Sequence, residues 1–208
     1  MAVAIITGIA LTMVPLFFIK GGIAVNLPAF LNSLTNFNDD FASTGKNIFF
    51  GTSFATLVNS LAAIISPSMK DFSFLVPIET TVSIILLVGS VPAFFVLRRK
   101  WERVMMITLL MIYIQNMSGL YNLTFMLLPL LLFLTDEERT EYDSISFLLL
   151  AVLWIPKEYH YFKNDNIPYS YIPLGVMINS VIILLYIVYI DVRVVFSAIK
   201  GLKYIRHE

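Results

Sequence analysis

Glu79 is an acidic residue that lies well inside a long apolar run, Phe72–Leu97. Charged side chains within membrane-spanning segments are rare, and they usually face a cavity or a partner. This favours a functional role for Glu79, such as binding a substrate. The structural alternative is that Glu79 lies about two helical turns from the end of the run, where a glutamate can stay hydrated. Both interpretations of Glu79 stay open on the sequence.

The segment Lys157–Lys163 combines basic side chains with aromatic ones. Lys157, His160 and Lys163 have the donor groups to bind a phosphate at a membrane surface. The tyrosine and phenylalanine rings between them would then lie against acyl chains. An aromatic anchor at the membrane interface explains the same rings without any ligand.

A polar break, Gln115–Asn122, separates two apolar stretches, Val104–Ile114 and Leu120–Leu134. Non-helical backbone at membrane depth is tolerated only where it is buried in protein or lines a wet cavity. Tyr121 and Asn122 lie at the lip of this break, and both are candidates for binding. The alternative is the ordinary tight turn of a helical hairpin.

Metal-binding residues are scarce in this chain. Asp39 and Asp40 form an adjacent acidic pair, but two acids in a polar stretch are more typical of a solvated turn than of a metal site. The chain has no cysteine, and its two histidines, His160 and His207, are far apart in the sequence. We therefore predict no metal centre and no cofactor. The formal net charge of zero also gives no indication of a nucleic-acid partner.

The amino-acid composition is typical of a protein that is embedded in membrane lipid. Hydrophobic residues make up 58% of the 208 residues and charged residues only 13%, with a mean hydropathy of +0.82. A soluble domain has about a quarter charged residues, because its core must be covered by a polar surface. This excess of apolar residues predicts an integral protein of the cell membrane.

The apolar segments predict an all-α, polytopic helical membrane protein with about six transmembrane helices and additional short interfacial or re-entrant helices. Phe72–Leu97 and Ile167–Ile190 are long enough to span a bilayer, whereas Ser146–Ile155 is short for a span. Residues 20–71 form an external polar segment, in which apolar residues of Leu27–Leu34 recur at helical spacing and predict an amphipathic interfacial helix. We expect residues 1–208 to form a single integral membrane domain.

The role of Ile48–Ile65 decides the number of spans. This stretch is apolar, but Thr52, Ser53, Thr56, Asn59 and Ser60 interrupt it. It is a span, a re-entrant helix or an interfacial helix. We favour a non-spanning segment, because polar side chains facing lipid cost several kcal/mol.

The basic residues predict an orientation. By the positive-inside rule, the cluster Arg98–Arg103 and the basic C-terminal tail lie in the cytoplasm. The acidic turn Asp136–Asp143 then also lies inside, and Lys157–Asn166 lies outside. The polar breaks of the chain, including Gln115–Asn122, therefore fall on one face, which is the outer face.

Four segments, in this order, carry a resemblance to a known family: Leu27–Phe37, Asn47–Leu57, the basic turn Arg98–Lys100 and Ser118–Leu130. Together they resemble the C-terminal half of the GT-C membrane glycosyltransferases, in particular the bacterial mannosyltransferase-like families that use polyprenyl-phosphate sugars. The resemblance covers nearly the whole chain. It implies that a short polar helix follows the small-residue stretch on the outer side, and that the hairpin around Tyr121 faces an outer cavity.

This resemblance implies a function and a set of binding residues. The function would be part of a glycosyltransferase that transfers a sugar from a polyprenyl-phosphate donor to a glycan or lipid acceptor at the outer face. The binding candidates are Ser53, Tyr121, Asn122, Lys157 and His160. The family's members are most alike in an acidic residue on an external loop of the N-terminal half, and Asp39–Asp40 does not match it in context. The resemblance thus implies a fragment or a second membrane chain that supplies the other half.

Two hypotheses without sugar transfer remain. The chain is then a non-enzymatic membrane subunit, such as a component of polymer export, or a small transporter. For these, Glu79 is the residue expected to matter. A secondary transporter is usually built from internal repeats, and no repeat is visible in this sequence.

The predicted orientation is open to a direct test. Topology reporters fused at Lys46 and at Lys163 should both report the outer side, because both positions lie outside in the preferred arrangement. A cytoplasmic reporter at Lys163 would contradict the outer-cavity hypothesis. A cytoplasmic reporter at Lys46 would instead mean that Ile48–Ile65 crosses the membrane.

Overall fold

Helices dominate the chain, as the long apolar runs predicted. The structure is a computed structural model that describes residues 10, 13–43, 45–115, 118–138, 140–157, 160–167 and 170–205. The chain divides into two compact units, Met1–Asp40 and Phe41–Glu208. The all-α prediction is met except for one short pair of strands, which lies in the second unit.

The first unit is built around a tight reversal of the chain. Helical residues 13–18 end before Gly21 and Gly22, which both have positive φ, and helix α1 (Gly22–Ser43) follows. The Asn26 side chain donates to the carbonyl oxygens of Leu16 and Ile19, both at 3.0 Å, and so satisfies acceptors that the helix end leaves free. The predicted interfacial helix Leu27–Leu34 is thus the middle of a longer helix. The side chains of Asp39 and Asp40 lie outside the described ones.

The second unit contains the remaining elements. Its helices are α2 (Phe54–Ile65), α3 (Val76–Val96), α4 (Lys100–Ile114), α5 (Leu127–Thr135), α6 (Glu141–Trp154) and α7 (Leu174–Ile205). Short 3₁₀ turns, Lys46–Phe49, Ser73–Leu75 and Leu120–Met126, precede α2, α3 and α5. Strands β1 (Tyr161–Lys163) and β2 (Tyr171–Pro173) pair in antiparallel fashion before α7, with Phe162 opposite Ile172.

Two described helical segments are long and apolar enough to cross a membrane. They are Ser73–Val96, with a mean hydropathy of 2.0, and Leu174–Ala198, with a mean hydropathy of 2.2. The first coincides with the predicted span Phe72–Leu97. The second begins later than the predicted span Ile167–Ile190, because Tyr171–Pro173 form strand β2 instead of the start of the helix. The other apolar helices of the described chain are shorter, and α2, at 12 residues, extends only about 18 Å. The prediction of about six spans therefore stays a prediction for these shorter helices.

Helix α3 is reversed in polarity relative to a helix of a soluble protein. Its buried residues are polar or small, namely Glu79, Ser83, Ser90 and Ala93. Its exposed residues include Ile84, Ile85, Val88 and Phe95, the last with 83% of its surface exposed. A helix of a soluble protein buries the apolar stripe and exposes the polar one. The outward face of α3 is thus suited to an apolar environment.

The apolar core of the second unit forms where α4 meets α7. Both helices bury residues at helical spacing, such as Met105 and Leu109 on α4 and Ile183 and Ile187 on α7, and all four are inaccessible to solvent. The ring of Trp101, at the start of α4, packs edge-on against Phe133 of α5, with ring centroids 5.0 Å apart. This core fixes α4, α5 and α7 relative to one another.

Ion pairs join the helix ends on one side of the second unit. The Arg99 guanidinium donates to Asp136 at 2.8 Å, to Asp143 at 2.5 Å and to the Glu138 carbonyl oxygen at 2.6 Å. Arg193 of α7 pairs with Glu102 of α4 at 2.7 Å, and both side chains are nearly buried. The basic turn and the acidic turn, which were predicted to lie on the same side, are therefore in direct contact.

Asp143 is the acid on which this arrangement is centred. Its carboxylate closes a capping box with Thr140 at the start of α6. Burial raises the pKa of the Asp143 carboxyl, but hydrogen bonds from Arg99 and Thr140 outweigh burial and hold the pKa below its ordinary value of 3.8. Because the pKa is depressed in the folded state, this stabilisation is present above that ordinary value and is lost as the pH falls through the lowered one.

We expect Arg99→Met to destabilise the protein by about 3 kcal/mol, because it leaves two neighbouring carboxylates without their cation. The thermal midpoint of the purified chain should fall by about 6–12 °C at neutral pH. Arg98→Met is the matched control, because Arg98 is exposed, and it should change little. Equal midpoints for the two variants would contradict the structural role of Arg99.

Candidate functional site

Three polar segments of the sequence meet at the end of the second unit that lies away from the ion pairs. Gly51 and Gly119 form an antiparallel backbone bridge, in which the Thr52 amide donates to Ser118 at 2.6 Å and the Leu120 amide donates to Phe50 at 2.8 Å. This bridge joins the segment before α2 to the polar break of the predicted hairpin. These two breaks are therefore in contact, whereas their location on the outer face of a membrane stays a prediction.

The β-hairpin is attached to the same end. Asn164 donates from its side chain to the Ala63 carbonyl oxygen at 3.1 Å, and Asn166 donates to the Pro67 carbonyl oxygen at 2.9 Å. The ring of Tyr171 lies edge-on to Phe49, with centroids 4.8 Å apart. These contacts bring the loop after Lys157 against α2, which the sequence did not predict.

Gly51 is required by the close packing behind the bridge. A Cβ atom at this position would lie 2.6 Å from the Asn47 carbonyl oxygen and would also collide with the Thr56 hydroxyl group. A Cβ atom at Gly119 would meet the ring of Tyr121, which is largely exposed and free to move. The two glycines are therefore unequal, since only Gly51 faces fixed backbone.

A buried polar cluster lies directly beneath the bridge. Asn47, Thr52, Thr56, Asn59 and Ser118 have no solvent-accessible surface. The Asn59 amide donates to Asn47 Oδ1 at 3.2 Å, and the Thr52 hydroxyl group donates to the Ser118 carbonyl oxygen at 3.2 Å. The polar residues that interrupt Ile48–Ile65 thus point into the protein, so the cost of facing lipid, on which the preference for a non-spanning segment rested, does not arise, and that preference stays a prediction.

Two of the predicted binding residues have structural partners in this cluster. Ser53 is buried and caps α2, where its Oγ accepts from the Thr56 amide at 3.2 Å. The Asn122 side chain donates to the Ser118 hydroxyl group at 3.0 Å. Both side chains therefore position the backbone near the bridge.

The structure places the other predicted binding residues at separate points. Tyr121 has 68% of its surface exposed and covers Gly119. His160 is exposed, and its carbonyl oxygen accepts from the Leu174 amide at 2.8 Å, next to the start of α7. Glu79 is 1% exposed and lies in the first turn of α3. Lys157 lines a cavity.

A cavity of about 320 Å³ opens beside Lys157. Its lining is mostly apolar, with contributions from Leu123, Trp154 and Pro156, and its polar groups include Thr124 and Asn179. A volume of this size lies at the lower end of the range for small-molecule sites. The cavity combines an apolar wall with one amine, which suits a ligand with an anionic head and an apolar chain.

The Lys157 ammonium group contacts neutral acceptors in the described part of the chain. It donates to Asn179 Oδ1 at 2.8 Å, to the Ile155 carbonyl oxygen at 2.8 Å and more weakly to the Leu153 carbonyl oxygen at 3.5 Å. Burial lowers the pKa of the Lys157 ammonium group below its ordinary value. Its positive charge is thus oriented by hydrogen bonds but is not neutralised by them.

Asn179 is a residue of this cavity that was not among the predicted binding residues. Polar residues in apolar segments commonly join helices by hydrogen bonds. Asn179 instead accepts a hydrogen bond from Lys157, which is 22 residues earlier in the sequence. No sequence signal links the two, because the contact depends on how the loop after α6 returns to α7.

The groups at this end of the protein can support the binding of an anion. In the described residues, no group of three or more acidic, histidine or cysteine side chains is placed to hold a metal ion. Lys157 and the cavity offer an anion site, while the buried cluster holds the surrounding backbone in place. No protein-family model, curated protein or solved structure matches this chain.

We expect Gly51→Ala to destabilise the protein by about 2 kcal/mol, since the added methyl group overpacks against fixed backbone. The measurement is the thermal midpoint of the purified chain. Gly119→Ala is the matched substitution in the same bridge and should cost less than about 1 kcal/mol, because the Tyr121 ring can swing outward. A larger loss for Gly119→Ala than for Gly51→Ala would show that the bridge is packed differently.

Proposed function

We propose that this chain is a multi-pass protein of the cell membrane with about six spans and a cytoplasmic C-terminus. The reversed polarity of α3 supports the membrane environment, because bulky apolar residues cover its outward face while Glu79 and two serines face inward. The ion-paired end, which carries Arg99, is then the cytoplasmic one, and the end with Lys157 is the outer one. The shorter helices α4, α5 and α6 are further spans in this arrangement, and α2 is a segment that does not cross the membrane.

We further propose that the chain is part of a glycosyltransferase that uses a polyprenyl-phosphate sugar at the outer face. The observation that carries this proposal is the cavity beside Lys157, where a half-buried ammonium group meets an apolar wall. A lipid phosphate supplies the negative charge that the neutral acceptors around Lys157 lack. The first isoprene units would lie along Leu123 and Trp154.

The proposed contribution of these residues is to hold the lipid donor. Lys157 would bind the phosphate, and Asn179 would fix the direction of the ammonium group through its hydrogen bond. Tyr121 and His160 are exposed near this end and remain candidates for contacts with a sugar or a glycan or lipid acceptor. The resemblance assigns the general base to an acidic residue of an N-terminal half, which a second membrane chain or further sequence would supply.

A non-enzymatic role is the second candidate, and Glu79 favours it. An acid that is 1% exposed in an apolar helix is typical of transport or assembly sites. In that case the chain is a membrane subunit or a small transport or export component. Glu79→Gln should then impair transport or assembly, while no sugar transfer is found in any combination of chains.

Lys157→Met should weaken the binding of a polyprenyl phosphate by about tenfold or more, because a charge-assisted hydrogen bond is worth roughly 1.5–3 kcal/mol. Binding to the purified chain can be measured by native mass spectrometry. Lys163→Met is the control, since Lys163 is exposed and pairs with Asp165 at 3.5 Å. The polyprenol without phosphate should bind equally to both variants. Unchanged phosphate-lipid binding in Lys157→Met would contradict the proposed donor site.

Sugar transfer requires its own test. The chain should be co-expressed with a membrane chain that carries an external acidic loop, and transfer from a polyprenyl-phosphate sugar should be assayed in membranes. Transfer that depends on both chains, and that falls with Lys157→Met, is the expected result. Lipid binding at Lys157 without any transfer would retain the binding site and remove the transferase assignment.

A further inference from the structure

Glu79 is buried in an unusually unfavourable setting for a carboxylate. It is 1% exposed, and neither of its carboxylate oxygens has a hydrogen-bond partner in the described part of the chain. The helices α2 and α3 contain no basic residue, and neither does Leu174–Ile190 of α7. An isolated charge in such surroundings is costly unless another group compensates for it.

The register between α3 and α7 shows what faces Glu79 from α7. The Ser90 hydroxyl group donates to Asp191 at 2.9 Å, which fixes the two parallel helices at one level. Glu79 precedes Ser90 by eleven residues, and Ser180 precedes Asp191 by eleven residues. Eleven residues are about three helical turns, so Glu79 lies on the same face of α3 as Ser90, and Ser180 lies on the same face of α7 as Asp191. Glu79 and Ser180 are then at the same height along the two helices. Ser180 is fully buried, as this register requires.

Helix α2 is the third helix beside Glu79, after α3 and α7. Leu75 and Ala63 belong to one buried cluster, in which the C-terminal end of α2 packs beside the start of α3. Glu79 lies one helical turn after Leu75 on α3. Ser60 lies one helical turn before Ala63 on α2, and Asn59 is its neighbour in the sequence. Asn59 and Ser60 have no accessible surface.

Two side-chain oxygen atoms on α2 also lack hydrogen-bond partners, as the carboxylate oxygens of Glu79 do. Asn59 Oδ1 and Ser60 Oγ have no hydrogen-bond partner among the described residues. The Asn59 amide nitrogen is directed at Asn47 Oδ1, at 3.2 Å, so its carbonyl oxygen is turned away from Asn47. Buried polar atoms without partners are rare, and a group of them on facing helices indicates a ligand.

We propose that Glu79, Asn59 and Ser60 form a binding site for one small monovalent cation, with Ser180 beside it. All the offered atoms are oxygens, which are the ligands that hard cations prefer. One carboxylate and neutral amide and hydroxyl oxygens give a charge of −1, which a monovalent cation neutralises and a divalent cation exceeds. The inference depends on the junction of α2, α3 and α7, and it holds with or without the proposed glycosyltransferase function.

A metal cation gives all three side chains a partner, whereas a proton neutralises Glu79 alone. A proton shared between two oxygens brings them to about 2.5–3.0 Å. The oxygens of Glu79, Asn59 and Ser60 make no hydrogen bond with one another. A cation that binds oxygens at about 2.3–2.6 Å holds them up to about 5 Å apart.

The test is the thermal midpoint of the purified full chain in choline chloride, with sodium or potassium chloride added at constant ionic strength. A ligand that binds the folded state raises the midpoint, and we expect a saturable rise of about 2 °C or more with at least one of the two cations. Glu79→Gln should abolish this rise. Ser83→Ala, one turn along the same face, should retain it.

Several results would overturn the site. They are the absence of a rise with both cations, an equal rise in Glu79→Gln, and a rise produced only by acidification, which would indicate a proton. If Glu79→Gln does not fold, equilibrium binding of radioactive ²²Na⁺ and of a radioactive potassium analogue to the wild-type chain replaces it. About one ion per chain, with about tenfold weaker binding in Asn59→Ala, supports the proposal, whereas no saturable binding of either ion contradicts it.

Discussion

The structure depends on one constraint, which is that polar groups face the inside of the protein when its outward surface is apolar. Helix α3 shows the constraint most directly, because its bulky residues face outward and its serines and Glu79 face inward. Helix α2 obeys the same rule, since the polar residues that interrupt its apolar sequence are all buried. In lipid there is no water to satisfy such groups, so the hydrogen bonds that some of them form, such as that of Ser90 with Asp191, hold the helices together. The apolar contacts of α4 and α7 then fill the space between them.

This constraint gives the second unit two different ends. At one end, Arg99 and Arg193 neutralise carboxylates, and the charges are matched in pairs. At the other end, the Gly51–Gly119 bridge and its buried hydroxyl and amide groups satisfy one another without charge. Lys157 departs from both patterns, because its ammonium group is held by neutral acceptors. This difference is the reason for which the proposed binding site is assigned to Lys157.

The sequence predicted the long helices well, but it predicted the side-chain contacts between distant segments poorly. Apolar runs of sufficient length located α3 and α7, because hydropathy over some twenty residues depends only on local composition. The rule of basic inner loops placed Arg99 and Asp136–Asp143 on one side, and their ion pairs agree with it. The contact of Lys157 with Asn179 and the cap formed by Ser53 had no such signal. Side-chain partners across helices are set by packing between distant segments, which a single sequence does not display.

The Gly51–Gly119 bridge has a consequence for the order in which the protein assembles. The hydrogen bonds at the bridge join Thr52 to Ser118, residues that are 66 positions apart, and the nearby bond from Asn164 to Ala63 spans 101 positions. Closing such long loops costs chain entropy before any contact compensates for it, so these bonds form late. During synthesis, the segment before α2 therefore waits for the hairpin and for the strands before α7. Until then the hydroxyl and amide groups of this segment lack the partners that they have in the finished protein.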